Sequence, residues 1–212
     1  MVKKNFYHEI PVIQARDLHI QRRENDLVVG TFGRGAYILD DYSPLRGLTA
    51  ETASADAVLL PLRDAYQFDE LGQQRAAWGN QTTANPPFGA VFTYQLNKPP
   101  SGETRMVLSI TDDNGRPVRR IDLPPTTGIQ RIAWNLRADP PAATQGQGAD
   151  AARGGGRGGQ GGQGGGRGGR GGQPQGPVIE PGRYRATLGT MAGDIVTPIG
   201  QPQAFMVVPL PQ

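Results

Sequence analysis

The sequence predicts an all-β protein. Three observations carry that expectation: short runs rich in β-branched and aromatic residues recur along the chain, several of them alternate apolar with polar residues, and no segment sustains a helical period. The runs are DLHIQ, DLVVGTF, GAYILDD, AVLLPL, GAVFTYQL, TRMVLSI, IQRIAWNLR, RYRATLG and AFMVVP, each bounded by turn residues. In RMVLSI the residues Met106, Leu108 and Ile110 alternate, in RIAWNL Ile132, Trp134 and Leu136, and in YRATL Tyr184, Ala186 and Leu188. Successive strand side chains point to opposite sides, so each of these strands has one buried face. From about Asn85 onward the pattern is that of an antiparallel sandwich of six or seven strands.

Taken in order, the residues from Asn5 to Pro44 form a separate unit of three short strands, divided by RREN and by GRG. GTFGRGAY, Gly30 to Tyr37, has the glycines of a phosphate loop, but strand-like AYILD follows where an anion site needs a helix, and no Lys-Ser/Thr pair is present. A Gly-Arg-Gly hairpin turn is the reading, because glycine supplies the positive φ it needs. Residues 49–84 then read as a connector. TAETASAD forms one or two helical turns with Thr49 as N-cap, without an acid at the capping-box position. The polar stretch DELGQQRAAWGNQTTANPP is an exposed linker whose Trp78 docks on a neighbour. Within the sandwich, DDNGRP places Asn114 and Gly115 as the central pair of a type I′ hairpin turn. EPGRY puts Pro181 and Gly182 in a type II turn ahead of Tyr184.

The candidates for chemistry are few. Asp40 and Asp41 are adjacent, with Glu9 and Asp17 as other nearby acids, but neighbours on a strand point to opposite faces and cannot share a substrate without a bulge. His8 and His19 are the only histidines, eleven residues apart without a third ligand, so no metal site is expected. No serine lies in a nucleophile-elbow context. Phe88, Phe92 and Tyr94 fall close together, where core packing is the reading preferred over ligand stacking. There is no cysteine, which removes disulfides, thiolate metal sites and thiol nucleophiles together. No catalytic, cofactor-binding or metal set is therefore expected. No run approaches the length of a membrane span, and the start lacks the apolar stretch of an export signal.

The stretch ARGGGRGGQGGQGGGRGGRGGQPQG, residues 152–176, invites an RNA-binding reading through its Arg-Gly-Gly repeats. It carries no aromatic residue to stack on a base, and strand-like IQRIAWNLR and GPVIEPGRYRATL flank it. Of 22 basic and 19 acidic residues, four arginines (Arg153, Arg157, Arg167, Arg170) and Asp150 lie in residues 145–176, which leaves 18 of each elsewhere. The net charge of +3 thus sits wholly in this stretch. The remainder has no general attraction to nucleic acid or anionic lipid. The expectation is a long disordered loop at about 141–176 between two sandwich strands. Long insertions are tolerated because each doubling of a loop costs only about 0.6 kcal/mol. Weak polyanion binding is the alternative.

RRENDLVVGTFGRGAYILDDYSPLRGL resembles the closing blade of bacterial BNR-repeat β-propeller proteins, which are similar to the sortilin (VPS10) propeller and often labelled glycosyl hydrolase or sialidase-like. Gly30, Thr31, Gly33, Gly35 and Tyr37 match the blade's Gly-Thr-x-Gly-x-Gly-aromatic pattern, and Asp41 stands at the Asp-box aspartate. Leu39 takes the place of the Asp-box serine and Ser43 that of its glycine. The later segments resemble the carboxy-terminal domain of the same proteins, itself similar to the immunoglobulin-like domain of the flagellar hook-capping protein. Asp112 and Gly115, Trp134, Leu136 and Arg137, and Pro181, Gly182 and Tyr184 carry that likeness.

The resemblance implies a partial propeller blade in residues 1–48, followed by a connector in 49–84 and an immunoglobulin- or fibronectin III-like sandwich in 85–212. It also implies an extracellular or periplasmic setting and packing of the blade on the rest of a propeller. The function implied is a non-catalytic module supporting protein or glycan binding; the alternative is a piece of a glycoside hydrolase whose active site lies in further blades. Sialidase chemistry needs an arginine cluster and a tyrosine nucleophile, which Arg34 alone does not provide.

Overall fold

The structure is a computed structural model that describes residues 13–68, 86–140 and 176–210. It is all-β. Three strands open it: β1 (Ala15–Gln21), β2 (Asp26–Thr31) and β3 (Ala36–Leu39), an antiparallel meander in the order β1-β2-β3. A 3-10 turn (Ser43–Gly47) and a one-turn helix α1 (Ala50–Ser54) lead into β4 (Ala57–Leu59) and β5 (Ala65–Gln67). Then come β6 (Ala90–Leu96), β7 (Arg105–Asp112), β8 (Pro117–Leu123), β9 (Gly128–Trp134), β10 (Gly182–Ala192) and β11 (Ile195–Pro209).

Two sheets face each other across one core. The smaller runs β4-β6-β9 and the larger β5-β11-β10-β7-β8. Alternation decides what goes inside. Ala90, Phe92, Tyr94 and Leu96 of β6 meet Met106, Leu108 and Ile110 of β7, with Tyr184, Ala186 and Leu188 of β10 and Phe205 and Val207 of β11. Trp134 sits almost fully buried at one end, edge-on to Tyr184 at 6.1 Å and to Phe205 at 6.4 Å, the geometry that ring quadrupoles favour.

The segment expected to be a connector supplies two sandwich strands. β4 pairs with β6 through Ala57–Leu96 and Leu59–Tyr94, and β5 adds to β11 in parallel through Ala65–Val207. The sandwich therefore begins at Ala57 rather than near Asn85 and has eight strands among the described residues, six of them β6 to β11. The helix is as short as anticipated. Thr49 caps it, and Thr52, rather than an acid, returns the reciprocal hydrogen bond at 2.8 Å.

Two turns differ from expectation. The β7–β8 hairpin closes through Asp112–Arg116, with Gly115 alone at positive φ (+79°) and Gly115 N donating to the Asp112 carbonyl. This is a three-residue turn with a bulge, not type I′, because the Asp112 carboxylate accepts from Asn114 N and Arg116 N and keeps Asn114 out of the left-handed region. Gly182 likewise has no positive φ and opens β10 as an extended residue opposite Val207, so Pro181–Gly182 is no type II turn. Instead the Tyr184 hydroxyl donates to the Glu180 carbonyl at 2.7 Å and ties the start of β10 to the residues just before it.

The glycine stretch connects β9 to β10, and residues 141–175 lie outside the described ones, as do His8, Glu9 and Trp78. Its two ends are clamped together. Ile179 N donates to the Leu136 carbonyl, Ala138 N to the Pro177 carbonyl and the Arg137 guanidinium to the Gly176 carbonyl. Arg137 and Val178 form an antiparallel bridge.

Candidate functional site

Two features stand apart from ordinary sandwich packing: the meander, and the joint that carries it. The register sets Leu18 beside Val29 and Tyr37, and Ile20 beside Leu27 and Leu39, so these six apolar side chains share one face. His19, Val28 and Ile38 lie across the other. Runs such as Leu27-Val28-Val29 and Ala36 to Leu39 are continuously apolar, the pattern of strands covered on both faces rather than on one. Here Leu18 is 63% exposed and Ile38 61%, so apolar surface meets solvent on both sides.

The GRG turn closes β2 onto β3. Gly33 and Gly35 adopt positive φ, and the Thr31 amide and hydroxyl both donate to the Gly35 carbonyl at 3.0 and 2.7 Å. Gly35 leads into a strand, not a helix, which leaves no amino end for a phosphate. Gly30 and Tyr37 sit within the paired strands, and Arg34 is exposed at the turn.

The joint begins where β3 stops at Leu39. Asp41 has φ +43° and is the single buried residue among residues 13–43. Its amide donates to the Asp26 carboxylate at 3.0 Å, and its own carboxylate accepts from the Ser43 amide and hydroxyl. Asp41 thus holds its own turn closed, with both Ser43 donors on one carboxylate oxygen. Because the strand has ended, alternation no longer separates the two acids. Asp40 and Asp41 both line a cleft of about 130 Å³ together with Asp64, Arg63 and Arg131, walled by Pro86 and Pro87.

Electrostatics decide what this cleft can do. Arg131 reaches from β9 and donates to the carbonyls of Asp40 (2.6 Å) and Asp41. Arg63 donates to the carbonyl and carboxylate of Glu24 at 3.1 and 3.2 Å, and its Nε stands 3.7 Å from Asp41 Oδ2. Burial raises the Asp40 carboxyl above the usual aspartate range, Asp26 raises it further, and Arg131 and Arg63 oppose the shift. Each terminal nitrogen of Arg131 donates to a main-chain oxygen, so this guanidinium grips the backbone at two successive residues. Through these contacts the two arginines clasp the end of β3 and the β1–β2 turn to the sandwich.

The remaining predicted residues stay apart from the joint. Asn114 and Gly115 form the far β7–β8 turn, Trp134 and Tyr184 lie in the core, and Pro181 and Gly182 introduce β10. Phe92 and Tyr94 are core residues, and Phe88 stacks edge-on with Phe68 at 5.0 Å. His19 is exposed on β1, and the Asp17 carboxylate accepts from the next amide. Among the described residues no group of three His, Cys, Asp or Glu is placed to hold a metal. Reading the sequence missed Arg63 and Arg131. Arg131 carries a signal only in hindsight, as a charge on the outward side of a strand whose partner there, Thr93, is buried.

No protein-family description, curated protein or solved structure matches this chain significantly.

Proposed function

We propose that this chain is a non-catalytic module in which the sandwich carries the β1–β3 meander as a docking layer for a larger β-sheet body of the propeller kind, supporting protein or glycan binding outside the cytoplasm. One observation supports this most directly: the meander exposes apolar side chains on both faces while its strands read as doubly covered. A three-stranded meander exposing apolar side chains on both faces is an incomplete layer, and further sheets on either side would remove that surface from water. The resemblance of the GTFGRGAY strand pair to a propeller blade supplies the kind of body.

The test places a photo-crosslinking residue at position 18 or at position 38 of the protein in its native host and identifies what each captures. Adducts from both positions to strand segments of β-rich partner sequence are expected. Adducts confined to the sandwich of the same chain would overturn the reading.

A further inference from the structure

We infer that the joint between meander and sandwich is a two-arginine latch, with Asp41 as its pivot, and that opening the latch frees the meander to swing as a rigid body. This goes beyond the docking reading and does not rest on it.

Apolar burial begins only past the meander, where Pro44 and Leu60 are buried and Gly47 abuts Pro61; within residues 13–43 the one buried residue is Asp41. Among the described residues no apolar side chain of the meander packs against the sandwich core. The hydrogen bonds that tie residues 13–43 to the sandwich come from two arginines. Arg131 takes two successive main-chain oxygens, those of Asp40 and Asp41, from the outward side of β9. Arg63, between β4 and β5, takes the Glu24 carbonyl in the β1–β2 turn and the carboxylates of Glu24 and Asp41. The two grips fall on different parts of the meander, its last residues and its first turn. Two points of attachment define a tilt; one would leave rotation about it.

The targets matter as well as the number. Three of the acceptors are backbone carbonyls, so each arginine positions the chain itself rather than a side chain that could change rotamer. Charge-assisted hydrogen bonds are the stronger kind, but at a solvated joint they are screened by salt, unlike apolar contact. Asp41 supplies the pivot because a non-glycine residue at φ +43° holds a backbone turn that its surroundings must enforce. Within the meander that turn is anchored separately, by Asp26 and by Tyr42 N on the Asn25 carbonyl at 2.8 Å. Loss of the arginines therefore leaves the meander folded and only its attachment loosened, which is the behaviour of a hinge.

The absence of cysteine makes the test direct, since two introduced cysteines label uniquely. Spin labels at positions 34 and 195, exposed residues on the two bodies, report the distance between them by electron–electron resonance. In the full chain a narrow distribution is expected, and R63A/R131A should broaden it at least twofold while the melting temperature of the sandwich stays unchanged. R131K, which keeps the charge but replaces the planar two-nitrogen fork with one nitrogen on a flexible stem, should fall between. Raising salt to 1 M in the unsubstituted protein should broaden the distribution without any substitution, which keeps the test valid if the double variant fails to fold. A distribution equally narrow in the folded double variant, or insensitive to salt where that variant does not fold, would overturn the latch.

Discussion

Tyr184 and Tyr94 both lie in the sandwich core, and their hydroxyls meet opposite fates. The Tyr184 hydroxyl donates to the Glu180 carbonyl, whereas that of Tyr94 finds no hydrogen-bond partner among the described residues. A hydrogen bond of this kind contributes about 1 kcal/mol net, and a buried polar group left alone costs about 1–3 kcal/mol. Tyr184→Phe should therefore lower stability by about 1 kcal/mol, and Tyr94→Phe should be neutral or stabilising. Urea unfolding of the two variants checks this, and equal losses would contradict it. Asp40 gives a second residue-scale prediction. Its folded pKa is raised, chiefly by burial and then by Asp26, so the folded state binds this proton more tightly than the unfolded chain does. Ionised Asp40 then opposes folding above its raised pKa, and the penalty is gone below about pH 3.5, under the ordinary aspartate value. Asp40→Asn should melt higher than the parent at pH 7, and the gap should close as pH falls through that window. Melting curves from pH 3 to 8 check this: an Asp40→Asn variant that melts lower than the parent at pH 7 would show the opposite sign, and a gap constant with pH would show no shift.

At the scale of elements, the β7–β8 hairpin depends on one carboxylate. Asp112 Oδ1 accepts two amides of the turn, at 2.9 and 2.8 Å, and Asp112→Ala would leave both to water and remove what holds Gly115 at the bulge. A loss of about 1–2 kcal/mol is expected, with hydrogen exchange accelerated first at residues 113–117. The same hairpin shows what a sequence can and cannot say. The DDNG stretch marks a turn, but Asn-Gly alone does not reveal that an aspartate two residues earlier selects the three-residue form. Strands with strong alternation, such as β6, β7 and β10, were legible because their patterning is local. β5 was not: it has three residues and exists because β11 offers an edge. The first half of β11 was hidden by Pro198 and Pro202, which are tolerated because β5 pairs only with Val207–Pro209 and leaves that part of the edge free. The joint was the least legible of all, since Arg63, Arg131 and Glu24 meet only through tertiary folding.

For the whole molecule, the clamp at residues 136–140 and 176–179 closes the sandwich without reference to what lies between. Replacing residues 141–175 by a five-residue linker should leave the fold intact and, through cheaper loop closure, raise stability by up to about 2 kcal/mol. A collapse of the sandwich core, read by the near-ultraviolet signal of Trp134, would show that the stretch contributes structure of its own. The shortened chain would also carry 18 basic and 18 acidic residues and lose its retention on a cation exchanger at neutral pH.

The parallel pairing of β5 with β11 has a consequence for synthesis. Asp64 accepts from the amide of Met206, 142 residues later, and Ala65 aligns with Val207. On the ribosome β4, β6 and β9 emerge long before β10 and β11, so the apolar side of the smaller sheet waits for the larger one to be completed. Folding is thus postponed until β11 has been made, and its slow step is the capture of the late β10–β11 hairpin between early β5 and early β7. A nascent chain stalled before residue 182 should be protease-sensitive throughout, whereas one released past residue 209 should acquire resistance in a single step.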